Sequence, residues 1–309
     1  MMPRSLALVP LVLSLLLVTV GCAEETETST ETADTTAAAA PSTDIYLAAL
    51  STEDGQLQVD TPRRLTTHAG YDNQPTFTPD GSALLYTSVR EGQADTYRYT
   101  FADSTHRAVT STRTSEYSPT PHDGGFSVVR VEEDGTQRLW QFTADGTDPS
   151  LLLPEIQPVG YHAWATPSQV ALFVLGDPAT LQLTTVDAGT ADTLARDIGR
   201  SMHRVPGRNA TISFTQYTSD STSQIHLLDT DAMATEPLVD TRAGGDFHAW
   251  TPGGLLLMAD GSVLYQHDPS GVDGWQRIAD LSPLQDIMRL AASPSGDRLA
   301  LVAAEPAPE

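Results

Sequence analysis

The chain has 309 residues, 40 of them acidic and 17 basic, and a formal net charge of −23. Every basic residue is Arg, with no Lys anywhere. This balance disfavours nucleic-acid binding, which needs a dense basic patch for phosphates, and a single Cys excludes an intramolecular disulfide.

The N-terminus reads as an export signal. Arg4 supplies positive charge, and Leu6 to Val20 is apolar apart from Pro10, Ser14 and Thr19. Fifteen residues are short for a membrane span and suit a signal-peptide core. The segment ends at Thr19-Val20-Gly21-Cys22, which resembles the lipobox of bacterial lipoproteins, with Thr19 in place of the usual Leu. The resemblance implies cleavage after residue 21 and lipidation of Cys22. The competing reading is an ordinary secretory signal with a nearby free Cys. Residues 22–43 are rich in Glu, Thr, Ser and Ala, carry Pro41 and have no large apolar side chain until the following segment. Such a stretch buries too little surface to offset its ordering entropy, so it is expected to be a disordered tether. Ala23 after the lipid site is similar to the outer-membrane sorting pattern of Gram-negative lipoproteins. Loss of Arg4 with the signal takes the charge from −23 to about −24. Anionic lipid would repel such a domain, so membrane attachment rests on the acyl anchor. Two causes of the acidity stand open: adaptation to concentrated salt, which the even spread of Asp and Glu suits, or an acidic binding face.

A phrase then recurs. Its clearest copy runs Gln74-Pro75-Thr76-Phe77-Thr78-Pro79-Asp80-Gly81-Ser82-Ala83-Leu84-Leu85-Tyr86, and later copies include His248-Ala249-Trp250-Thr251-Pro252-Gly253-Gly254 and Ala292-Ser293-Pro294-Ser295-Gly296-Asp297-Arg298-Leu299. Aligned anchors are Phe77, Pro121, Trp164, Val205, Trp250 and Ala292, spaced 44, 43, 41, 45 and 42 residues apart. A period in the low forties suits a four-stranded propeller blade. Within the first blade the runs are Asn73 to Thr78, Ala83 to Val89, Asp95 to Phe101 and Arg107 to Ser111, with Pro79-Asp80-Gly81 as a tight turn. The second has Phe126 to Val131, Arg138 to Thr143 and Ser150 to Leu153. The third runs from Tyr161 to near Ile198. The fourth has His203 to Val205, Thr211 to Gln216 and Gln224 to Leu228, and the fifth spans Phe247 to Ala279. The sixth begins at Met288 and ends two strands short after Leu299-Ala300-Leu301-Val302. Asp44 to Leu50 and Gln58 to Thr66 read as the missing third and fourth strands. The expectation is therefore an all-β, six-bladed propeller over residues 44–303, with the N-terminal strands completing the C-terminal blade, and a disordered tail over 304–309. That closure removes open sheet edges.

These repeats resemble the WD-like repeats of TolB-type propellers, sharply in the first and last blades and less so between. The resemblance implies a six-bladed, usually non-enzymatic periplasmic scaffold that binds proteins or peptides. Only the tether precedes the ring, where true TolB has a separate N-terminal domain. Similar repeats form the gating propeller of prolyl-oligopeptidase-like peptidases, but there is no Gly-x-Ser-x-Gly here. They also occur in lyases of plant-cell-wall sugars, which are known for a histidine-rich metal site.

Local catalytic signatures are absent: no His-Glu-x-x-His, no phosphate-binding Gly loop and no calcium loop. One constellation stands out. His162, His203 and His248 each lie two residues before the anchor in three successive blades. First strands line a propeller's channel, so these rings are candidates for a divalent transition-metal site, with Asp246 as a fourth ligand. Arg204 and Arg289 flank the band as candidate carboxylate binders. The competing reading is that each His satisfies polar groups beside the channel. Trp164 and Trp250 read as packing between blades, and His226 and His267 as surface residues of outer strands. The sequence thus favours a monomeric, non-enzymatic outer-membrane lipoprotein whose propeller, with no cofactor, binds an envelope protein or peptide at one end of its channel. The alternative is a lyase-like, metal-binding propeller enzyme.

Overall fold

The computed structural model describes residues 42–53, 56–243 and 245–304. The signal segment, Cys22, nearly all of the tether and residues 305–309 lie outside the described residues. Six antiparallel sheets follow one another along the chain. The repeat spacing produces them: each period supplies short strands punctuated by turn residues such as Gly81, whose φ of 68° a non-glycine residue adopts only at a cost.

Blade I comprises Asp72–Phe77, Ala83–Arg90, Gln93–Thr100 and Thr105–Ala108. Blade II comprises Ser115–His122, Gly125–Val131, Gln137–Thr143 and Ser150–Leu151. Blade III comprises Val159–Trp164, Gln169–Val174, Thr180–Thr185 and Asp192–Arg196. Blade IV comprises Ile198–Arg204, Thr211–Ser219, Thr222–Asp229 and Ala234–Asp240. Blade V comprises His248–Trp250, Leu256–Asp260, Val263–His267 and Gln276–Asp280.

Blade VI is assembled from both ends of the described chain. Arg289–Ala292 and Arg298–Ala304 pair with each other, and Thr43–Glu53 pairs with the latter in a register running from Thr43↔Ala304 to Ala49↔Arg298. Pairing therefore begins one residue outside the expected limits, at Thr43 and Ala304. The expected continuous strand from Gln58 to Thr66 is instead two pieces, Gln56–Val59 and Arg63–Arg64. Pro62 separates them, lacking the N–H that a ladder needs.

The cores lie between blades. Second strands alternate their side chains toward opposite neighbours, as a period of two requires. Leu84 and Tyr86 join Ile45, Ala300 and Val302 of blade VI, whereas Leu85 joins Phe126, Val128 and Phe142 of blade II. Leu299 and Leu301 point the other way, to Leu257 and Leu264 of blade V. Ile45, Leu84, Tyr86, Ala300 and Val302 are fully buried, so the N-terminal strand belongs to the core as much as to the ladder.

Two strands escape the apolar pattern. Ser115–His122 faces the channel and contains Pro119 and Pro121. Ala234–Asp240 is an outer strand, largely exposed, and contains Pro237. Ile198 opens blade IV and does not close blade III. His267 is also not a surface residue: it is buried, with its ring 5.5 Å from that of Trp275.

Candidate functional site

First strands of all six blades surround a channel cavity of about 350 Å³. The imidazoles, aromatic rings and arginines on those strands give the cavity its chemistry.

His162 and Trp164 are two residues apart on an inner strand, so both point to one side, and both reach Ser127 on the second strand of blade II. Ser127 Oγ lies 2.7 Å from His162 Nε2 and accepts the Trp164 Nε1–H at 2.9 Å. The same clamp recurs two blades later. Ser213 Oγ lies 2.7 Å from His248 Nε2 and accepts the Trp250 Nε1–H at 2.8 Å. Each clamp ties an inner strand to the preceding blade. On its other side Trp164 stacks with His122 at 3.4 Å and 7°. His203 has a different partner, Ser201 Oγ at 3.1 Å, and its ring meets His248 edge-on at 5.0 Å. Ser201 in turn accepts the His248 N–H at 3.1 Å.

Burial holds all three imidazoles neutral, because a charged ring would lose its hydration. It lowers His162 to about 3, helped by His122, and His203 to about 4, helped by the Arg289 charge. Burial and then His203 push His248 well below its ordinary value.

His203 and His248 are thus neighbours, while His162 is turned to Ser127. Among the described residues, no three His, Cys, Asp or Glu side chains converge as one metal ion requires. The expected three-imidazole ligand set is not assembled: His162 turns to Ser127 between blades II and III, and His248 to Ser213 between blades IV and V. Asp246 does not complete it either. Its Oδ1 accepts the Arg200 backbone N–H at 2.8 Å, over Gly199, where a Cβ would sit 1.9 Å from that oxygen. Burial raises the Asp246 carboxyl, opposed by the Arg200 hydrogen bond and by the Arg200 and Arg289 charges.

The two expected arginines do line the cavity. Arg289 Nη2 donates to Tyr161 OH at 3.2 Å, and its guanidinium lies 4.1 Å from the Phe247 ring centroid and 5.2 Å from that of Tyr161, a cation–π arrangement. Arg204 is exposed and also borders the adjoining groove with Trp250 and Pro252. Arg200, Tyr161 and Phe247 were not singled out by sequence. Arg200 lies at the irregular start of blade IV, where the ladder shifts register between Ile198 and Met202, and an anchor alignment does not reach it. Tyr71 and Tyr117 cluster with them: burial raises the Tyr71 phenol, Arg289 opposes the rise, and the Tyr161 and Tyr117 phenols add to it.

No family model matches the chain, and no curated protein matches it. Solved structures do. A candidate TolB from Agrobacterium tumefaciens is similar at 18% identity and a TM-score of 0.67, over 86% of this chain and 99% of that one. TolB from Acinetobacter baumannii is similar at 13% identity and a TM-score of 0.55, over 84% of this chain and 64% of that longer one. An oligogalacturonate lyase in complex with manganese is similar at 15% identity and a TM-score of 0.56, over 81% of this chain and 82% of that one. At these identities the likeness is one of fold: the chain is a TolB-like six-bladed β-propeller.

Proposed function

We propose that the chain is a non-enzymatic lipoprotein of the cell envelope, anchored through Cys22 in the outer membrane and facing the periplasm. In this reading its propeller, acting as a monomer, binds a protein or peptide partner at the channel. One observation carries the reading: the channel lining holds arginines, aromatic rings and small polar side chains with no Asp or Glu, and its imidazoles are kept neutral, two of them in interblade clamps. Such a lining binds and orients. A general base must instead be free to take a proton. The TolB-like fold and the acyl anchor implied by Thr19-Val20-Gly21-Cys22 point the same way. Photo-crosslinking in living cells from position 76, on the channel wall, tests the reading.

The second reading, a lyase-like metal enzyme using His162, His203 and His248, is supported by the neutral state of the adjacent His203 and His248 rings and by fold likeness to a manganese-bound lyase. It lacks a third converging ligand. The expected result after incubation with zinc, manganese or nickel and gel filtration is well under one metal per chain. A stoichiometric metal, lost in His203→Ala, would reverse the preference.

A further inference from the structure

The channel is a basic pocket in an acidic protein. Acidic residues outnumber basic ones 40 to 17, yet the lining contains Arg200, Arg204 and Arg289 and no Asp or Glu. Six other arginines of the described residues are ion-paired, among them Arg64 with Asp44, Arg130 with Glu116 and Arg138 with Glu132. Among the described residues no ion pair involves Arg200, Arg204 or Arg289.

Arg200 and Arg289 both line the cavity near the starts of their inner strands, which puts them at one end of the channel. Asp246 moderates their field without contacting either guanidinium: its Oδ1 is held by the Arg200 backbone N–H, and burial raises its carboxyl. The Arg289 guanidinium is fixed by Phe247 and by the Tyr161 hydroxyl, which takes one of its five N–H donors. A planar fork held in place loses little freedom when it meets a carboxylate. Independently, His162 is buried at 6% exposure, lines the same cavity, and its Nδ1 has no hydrogen-bond partner. Buried polar atoms are rarely left unpaired, and this nitrogen has one hydrogen bond still to make. Much of the rest of the lining is apolar, including Pro75, Pro119, Pro121, Phe247 and Leu290.

Resting on the binding reading above, we propose that this end of the channel receives a carboxylate of an extended acidic peptide segment. Arg200 and Arg289 bind the carboxylate, and His162 Nδ1 makes one further hydrogen bond. The apolar part of the lining packs side chains next to the acidic residue, which favours a peptide over a uniformly hydrophilic uronate sugar. The association is electrostatic in part and weakens with salt.

The test measures fluorescence anisotropy of rhodamine-labelled hexaglutamate with the full chain, against hexaglutamine and an oligogalacturonate. Expected are binding of hexaglutamate and not of hexaglutamine, loss of affinity with added salt, and a drop of at least about tenfold in Arg289→Gln and in Arg200→Gln. Arg200 is exposed, so Arg200→Gln keeps the test decisive if Arg289→Gln unfolds. Equal affinity for the two peptides, or unchanged affinity in Arg200→Gln, overturns the proposal. Preference for oligogalacturonate overturns the peptide assignment and gives the site to an acidic sugar. Crosslinking from position 76 separates this from the broader reading. A partner still captured by Arg200→Gln at wild-type yield leaves the binding reading standing and ends the carboxylate one. Hexaglutamate affinity with no captured partner supports the carboxylate site and ends the protein-partner reading.

Discussion

Stability is expected to fall steeply between pH 7 and pH 5. His162, His203 and His248 stay neutral in the fold, with His162 lowered to about 3 and His203 to about 4. In the unfolded chain each titrates near 6.5. Between those values the unfolded state binds protons that the folded state refuses, so acidification favours unfolding. The stability is complete above the unfolded value and is lost as pH falls from there toward the folded ones. At pH 5 each ring costs about 2 kcal/mol, and the three together about 6 kcal/mol. Asp72, Asp95, Glu116 and Asp246 act in the opposite sense, since burial raises each of them. The folded state binds their protons first, so they offset part of the loss at the acid end of the range. Urea unfolding at steps from pH 7.5 to pH 5, followed by Trp fluorescence, measures the slope. A midpoint that does not move across this range would contradict neutral, buried imidazoles.

Ser127→Ala and Ser213→Ala are each expected to lower stability by about 2–4 kcal/mol. A single hydroxyl oxygen serves two ring nitrogens in each clamp: Ser127 with His162 and Trp164, Ser213 with His248 and Trp250. Removing it leaves an indole N–H and an imidazole nitrogen buried without partners, at about 1–3 kcal/mol for each. The lost volume is small, so a cavity contributes little. The clamps sit at different interfaces, between blades II and III and between blades IV and V, so the double variant should show the sum of the single effects within about 0.5 kcal/mol. Urea denaturation of the three variants measures this. A loss below about 0.5 kcal/mol, the range of ordinary surface substitutions, would show that the rings are satisfied in another way.

The anchor spacing made the blade count and the split blade legible, because each period must bury its own strands against its neighbours. Second strands such as Ala83–Arg90 and Arg298–Ala304 were readable, being buried on both faces. Ser115–His122 was not, because a channel strand meets polar surroundings on one side and loses the apolar alternation. The phase of the repeat placed His162, His203 and His248 on channel strands, but not what their rings do. That depends on Ser127 and Ser213, each 35 residues upstream of its His and on the neighbouring blade. The recurrence of that spacing is present in the sequence and becomes intelligible once blade adjacency is known. Arg289 was found through its position beside the histidine band. Arg200 was missed because the register shift before Met202 removes it from the repeat.

Photo-crosslinking tests the central claim, that the channel is where a partner binds. A photoreactive residue replaces half-buried Thr76 on the channel wall in one strain and exposed Thr235 on the outer strand of blade IV in another, and both are irradiated in living cells. The expected result is one reproducible envelope protein captured from position 76 and not from position 235, with the captured peptide rich in Asp or Glu. Capture of the same protein from position 235 alone would place the partner on the outside of the ring and contradict the account.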